Sequence, residues 1–156
     1  VVIRMGSEKD YGFVEPAIEL LKKFEIDFHV RVASAHKTPD FLLDILRDYE
    51  EEESLVYLTV AGRSNALSGF VDANTNFPVI ACPPYSDKFG GADIFSSLRM
   101  PSGVGPMVVL DPKNAVISAL KILSLDNKEL AERLLEHRNE IKEKVENSDE
   151  NISGKN

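Results

Sequence analysis

Leu55-Val56-Tyr57-Leu58-Thr59-Val60-Ala61, followed at once by Gly62-Arg63-Ser64-Asn65, is the stretch that decides the fold. A strand with one wet face alternates apolar and polar residues. One covered on both faces reads as an almost unbroken apolar run, as here. The glycine and the polar residues behind it form a turn that opens a helix. A strand buried on both sides implies a parallel sheet flanked by helices.

Outward from this point the same unit recurs. Strand-like runs occupy residues 1–5, 28–33, 78–82 and 107–110. Between them, helical spacing places Val14, Ala17, Ile18, Leu21 and Phe24 on one face of residues 10–24. Leu42, Ile45, Leu46 and Tyr49 share a face of residues 39–49, with Thr38 read as N-cap and Pro39 as first helical residue. Shorter helices are expected over 64–73 and 92–98, and another over 112–123. Five strand–helix repeats with right-handed crossovers predict a three-layer α/β/α fold with a flavodoxin-like parallel sheet, order 2-1-3-4-5. Residues 1–125 are read as one domain. Asp126 and Glu129 have capping-box spacing before a helix over 126–147. Its apolar stripe (Ala131, Leu134, Ile141, Val145) is thin, which suggests packing on another subunit. The polar residues 148–156 read as a disordered tail.

The bulk properties remove several functions. The 156 residues suit one domain, and the net charge of −8 leaves neither the first 125 residues nor the remainder basic. Nucleic acid is therefore not the expected partner. No apolar run approaches a membrane span. Cys82 is the single cysteine, so no internal disulfide and no cysteine metal spacing exist. The chain opens on Val1 without a signal-peptide pattern, and a cytoplasmic location is expected.

In open α/β sheets ligands bind beyond the carboxyl ends of the strands. Three such ends carry chemistry. After the first strand, Gly6 and Ser7 offer backbone N–H groups and a hydroxyl to a phosphate, and Asp10 an acceptor to a ribose hydroxyl; an ordinary capped turn is the alternative. Neither G-x-G-x-x-G nor a Walker loop is present. After the second come Ser34, Ala35, His36 and Lys37, with the only imidazole at this edge. A histidine that titrates near neutrality suits proton transfer. After the third come Ala61, Gly62, Arg63, Ser64 and Asn65, again donor-rich. His29, inside a strand, and His137, on the final helix, read as structural or exposed. No nucleophilic triad and no metal-ligand set can be assembled. The residues alone describe a binder of a phosphorylated metabolite with one histidine as acid/base. The segment 92–105 is long enough to close a site or to make a subunit contact.

Together, "MGSEKD", "ASAHKTPD", "VAGRSNALSGFVDANTNFPVIACPP" and "SSLRMPSGVG" resemble the aminoimidazole ribonucleotide carboxylase family of purine biosynthesis. One branch of that family moves a carboxylate from N5-carboxyaminoimidazole ribonucleotide to C4; the other adds CO2 to aminoimidazole ribonucleotide (AIR). The mutase branch usually has His-Arg in the second loop and a further histidine in the third. His36-Lys37 and "AGRSNALSG" look like the CO2-using branch. The resemblance implies His36 as the catalytic residue. It implies Gly6, Ser7, Asp10, Ser34, Ala35, Lys37, Ala61, Gly62, Arg63, Ser64 and Asn65 as substrate contacts, with the neutral Ala61–Gly62 region suited to CO2. Lys9 stands where the family often has a second serine. No metal or cofactor is implied, with CO2 as co-substrate, and a homo-oligomer, often an octamer, is. The mutase is the alternative activity, and a non-catalytic nucleotide-binding module the alternative class.

Overall fold

Five strands pair in parallel: β1 (Val2–Met5), β2 (His29–Val32), β3 (Tyr57–Val60), β4 (Val79–Ala81) and β5 (Met107–Val108). Their order is β2-β1-β3-β4-β5, as the sequence pattern predicts. The structure, a computed structural model, describes residues 1–154. Helices α1 (Tyr11–Lys23), α2 (Pro39–Arg47), α3 (Leu67–Asp72) and α4 (Phe95–Leu98) lie in the four crossovers, α5 (Pro112–Leu123) follows β5, and helices flank both sides of the sheet. A final helix, α6, spans Lys128–Ser153. The chain divides into two compact units, Val1–Ala119 and Leu120–Asn156; the sheet lies in the first.

All four residues of β1 and of β3 are buried, which explains their unbroken apolar reading. On one face Val2, Tyr57 and Val79 pack with Leu42, Ile45 and Leu46 of α2 and Leu67 and Val71 of α3. The alternate residues, Ile3, Met5, Leu58 and Val60, are buried as well. Edge strand β2 is more open, with Val32 41% exposed. Among the described residues no helix is long and apolar enough to cross a membrane.

The structure corrects several boundaries. α4 begins three residues later than expected, because Phe89, Gly90 and Gly91 take left-handed φ values of 55°, 60° and 77° just before it. Asn127, not Asp126, caps α6: its side-chain oxygen accepts the Leu130 N–H at 3.0 Å. α6 also does not stop at 147. No Gly or Pro intervenes before Gly154, and Ser148 bonds back to the Lys144 carbonyl, so residues 148–153 stay helical. The last residues of the expected tail, 155–156, lie outside the described residues.

Arg4 is the one discordant member of the central strands. It is 1% exposed, and none of its three side-chain nitrogens has a hydrogen-bond partner among the described residues. Burial, and then the Arg31 charge opposite it on β2, push its pKa down to about 10; Tyr57, Tyr49 and Asp48 oppose the shift. A base whose folded pKa lies below its unfolded value of 12.5 destabilises the fold at every pH below about 10, with relief only between the two. Arg4→Met is therefore expected to raise stability by roughly 1–3 kcal/mol. Urea denaturation at pH 6 and pH 9 should show the same gain at both. A loss of stability would reveal a partner for the guanidinium.

Candidate functional site

Met5 of β1 stands opposite both Val32 of β2 and Val60 of β3, so the three strands end level. The loops that leave them surround one basin of about 590 Å³. Gly6 and Ala61 continue side by side past the strands, with the Gly6 N–H on the Val60 carbonyl at 2.9 Å. A Cβ on Gly6 would stand 3.3 Å from the Ala61 methyl, so only glycine fits this approach without a shift.

In the first loop, Ser7 Oγ accepts the Lys9 N–H at 3.3 Å and caps the turn Glu8–Asp10. The hydroxyl hydrogen stays free to donate to a ligand. Burial pushes the Asp10 carboxyl above its ordinary pKa, partly offset by a hydrogen bond from the Ser7 backbone. In the second loop, Thr38 does not cap α2 through its side chain. Its hydroxyl turns back instead, taking the Ser34 N–H at 3.0 Å and reaching the Ser34 carbonyl at 3.2 Å. The Lys37 N–H donates to Ser34 Oγ at 3.3 Å. These bonds close the turn that carries exposed His36. In the third loop Arg63 has a φ of 60°, which turns the chain sharply at the basin wall.

Gly6, Ser7, Asp10, Ser34, Ala35, His36, Lys37, Ala61, Gly62, Arg63 and Ser64 all line this basin. Asn65 does not. It is 4% exposed, its amide nitrogen donates to Ser97 Oγ at 2.9 Å, and its oxygen accepts the Ser68 N–H at 3.2 Å. Both ends of its side chain serve the interior, so Asn65 locks the loop from behind. Lys9, Lys37 and Arg63 line the basin together with Asp10, so a chain of net charge −8 presents three cations and one carboxylate here. Such a balance draws an anion. A second cavity of about 280 Å³ shares Ala61, Gly62 and Arg63 and is otherwise lined largely by apolar groups, including Pro83, Pro84, Ile94 and Leu110.

The other histidines lie outside the basin. His29 Nδ1 is 2.9 Å from the Tyr49 hydroxyl, and His137 pairs with Glu140 at 3.8 Å. Cys82 is buried and its thiol is pushed up to about 12, first by burial and then by Asp111. Asp111, at the fifth strand end, caps α5 by accepting the Asn114 N–H. Sequence reading missed Asp93, Ser96 and Ser97, which reach the third loop from about thirty residues away. Only the serine pair in "DIFSS" hinted at them.

The family model described as AIR carboxylase matches residues 1–144. A phosphoribosylaminoimidazole carboxylase of Archaeoglobus fulgidus is 52% identical over 151 residues, covering 97% of this chain and 83% of that protein. An N5-carboxyaminoimidazole ribonucleotide mutase of Methanocaldococcus jannaschii is 40% identical, covering 97% and 96% of the two chains. The crystal structure of Treponema denticola PurE superposes with a TM-score of 0.94 at 46% identity, over 97% of this chain and 96% of that one.

The raised Asp10 pKa gives a stability prediction. A carboxyl raised in the folded state stabilises only while protonated; above its folded pKa the ionised form is a liability. Asp10→Asn should therefore be as stable as the parent or more so at pH 7. That gain should fade as the pH falls toward 3.8, the ordinary value. Thermal midpoints across this range measure it, and a destabilised Asp10→Asn at pH 7 would show the carboxylate to be structural.

Proposed function

The chain belongs to the AIR carboxylase family, and from that premise we propose that it joins CO2 to C4 of AIR, giving 4-carboxy-5-aminoimidazole ribonucleotide in purine biosynthesis. One observation carries the reading of the site: three level strand ends gather His36, three serines, Asp10 and the cations Lys9, Lys37 and Arg63 around one basin. The two named relatives are enzymes, and the non-catalytic reading falls with that.

The roles follow from donor chemistry. Ser7 donates to the phosphate, and Lys9 and Lys37 neutralise it. Asp10 accepts from a ribose hydroxyl through a carboxyl oxygen. C4 of the aminoimidazole is enamine-like. Its electron pair attacks the carbon of CO2, a C–C bond forms, and one C=O pair moves onto oxygen as the new carboxylate. The C4 proton then passes to the neutral His36 imidazole and ring aromaticity returns. Ser34 and Ser64 donate to the carboxylate as it forms. This step needs no redox centre and no covalent cofactor, because the substrate supplies the nucleophile.

The Methanocaldococcus relative supports a second reading, the mutase. The His36-Lys37 pair favours the carboxylase. The chain is further read as a cytoplasmic homo-oligomer, with the octamer that the family resemblance implies. Exposed apolar residues on two elements support self-association: Phe95 and Leu98 of α4, and Ile141, Val145 and Ile152 along α6.

Purified chain supplied with AIR and CO2 should turn over. Turnover only with N5-carboxyaminoimidazole ribonucleotide would make it a mutase. His36→Asn is expected to lower kcat by about 10²–10⁴-fold while the KM for AIR moves by less than about threefold. Near-normal turnover by His36→Asn would remove the proton-transfer role.

A further inference from the structure

The wall of the basin that carries Ser64 is held from behind. Ser64 lies between Arg63 and Asn65, and the backbone of both neighbours is fastened to one distant segment. The Arg63 N–H donates to Asp93 Oδ2 at 3.3 Å. The Asn65 N–H donates to Ser96 Oγ at 2.9 Å. Ser96 Oγ lies 3.0 Å from the Arg63 carbonyl and 2.7 Å from the Asp93 carbonyl, so its one hydrogen serves these two acceptors. Ser97, 2% exposed, receives the Asn65 side chain.

Two further contacts fix the segment itself to α3. Met100 lies so close to Gly69 that a Cβ there would meet its sulfur at 2.9 Å. The Gly105 N–H donates to Asp72 Oδ2 at 2.8 Å. The bracket matters because Arg63 is a non-glycine residue at φ 60°. That conformation is disfavoured and persists only where the surroundings over-determine it. Without the bracket Arg63 would relax, and the Ser64 hydroxyl would rotate with it.

We infer that Ser96, seconded by Asp93, is a positioning residue that fixes Arg63 and Asn65 and so aims Ser64 at the developing carboxylate. It touches no substrate and acts through the loop. The inference rests on the carboxylase reading for its catalytic consequence, but the fixing of the loop can be measured without turnover. A loop that orients the carboxyl end should affect kcat; the ribose–phosphate end, held by Ser7 and Asp10, should be indifferent.

Amide hydrogen exchange and steady-state kinetics on the full chain test this. In Ser96→Ala, exchange at Asn65 should quicken about tenfold, while Ile3 and Leu58 in the central strands keep the parental rate. The kcat with AIR and CO2 should fall about 10–100-fold, with the KM for AIR within about threefold. Ser96→Thr, which keeps the hydroxyl, should restore both. Asp93→Ala provides a milder second variant, read at the Arg63 amide. Unchanged exchange at Asn65 would overturn the inference, and so would a loss falling on the KM for AIR alone. Wild-type chain inert toward both AIR and the N5-carboxy compound would instead sink the carboxylase reading. The exchange result would then decide the bracket by itself.

Discussion

Parallel pairing holds Met5 level with Val32 and with Val60, and the candidate site depends on that register. A slip of one residue would turn each buried side chain of a strand to the opposite face. It would also separate the three loop origins by one residue rise, about 3.3 Å. The different packing of the two faces opposes such a slip: Val2 and Tyr57 fit against α2 and α3, whereas Ile3, Met5, Leu58 and Val60 belong to the other face. Gly6 then keeps the first and third loops in contact beyond the last strand residue, with its N–H still on the Val60 carbonyl. The basin is thus a consequence of sheet geometry before any polar residue is considered.

What the register brings together, local hydrogen bonds then orient. Thr38 closes the loop bearing His36 through Ser34, and Ser7 caps the turn that presents Asp10. In both cases a serine accepts a backbone N–H and keeps its own hydrogen for a ligand. Around the basin the balance of charge is opposite to that of the whole chain. Such a balance favours an anion at this edge over the rest of the surface. Asp10 lines the same basin, where burial penalises its ionised form and a hydrogen bond from the Ser7 backbone partly offsets the penalty.

Period and composition made the sheet legible. Apolar runs of strand length, each followed by a helical repeat, admit few topologies, and the rule that ligands sit at carboxyl edges located eleven of the lining residues. Interactions between distant segments were not legible. Asn65 has the residue type of a ligand contact, and only the position of Ser97, thirty-two residues on, reveals it as a lock. Thr38 has the position of a helix cap, but its hydroxyl takes the nearer Ser34. Arg4 stands in a short apolar run, and nothing in its neighbourhood announces that its guanidinium is buried. The C-terminal helix outruns its expected end because a polar composition does not stop a helix where no breaker stands before Gly154.

These elements converge on one claim: the three loops place C4 of an aminoimidazole ribonucleotide within proton-transfer reach of His36. A crystal structure of the chain with AIR bound measures that directly. The account predicts the phosphate at Ser7 and Lys9 and a ring nitrogen of His36 within about 3.5 Å of C4. AIR bound with its ring turned away from His36, or seated outside the basin, would contradict it.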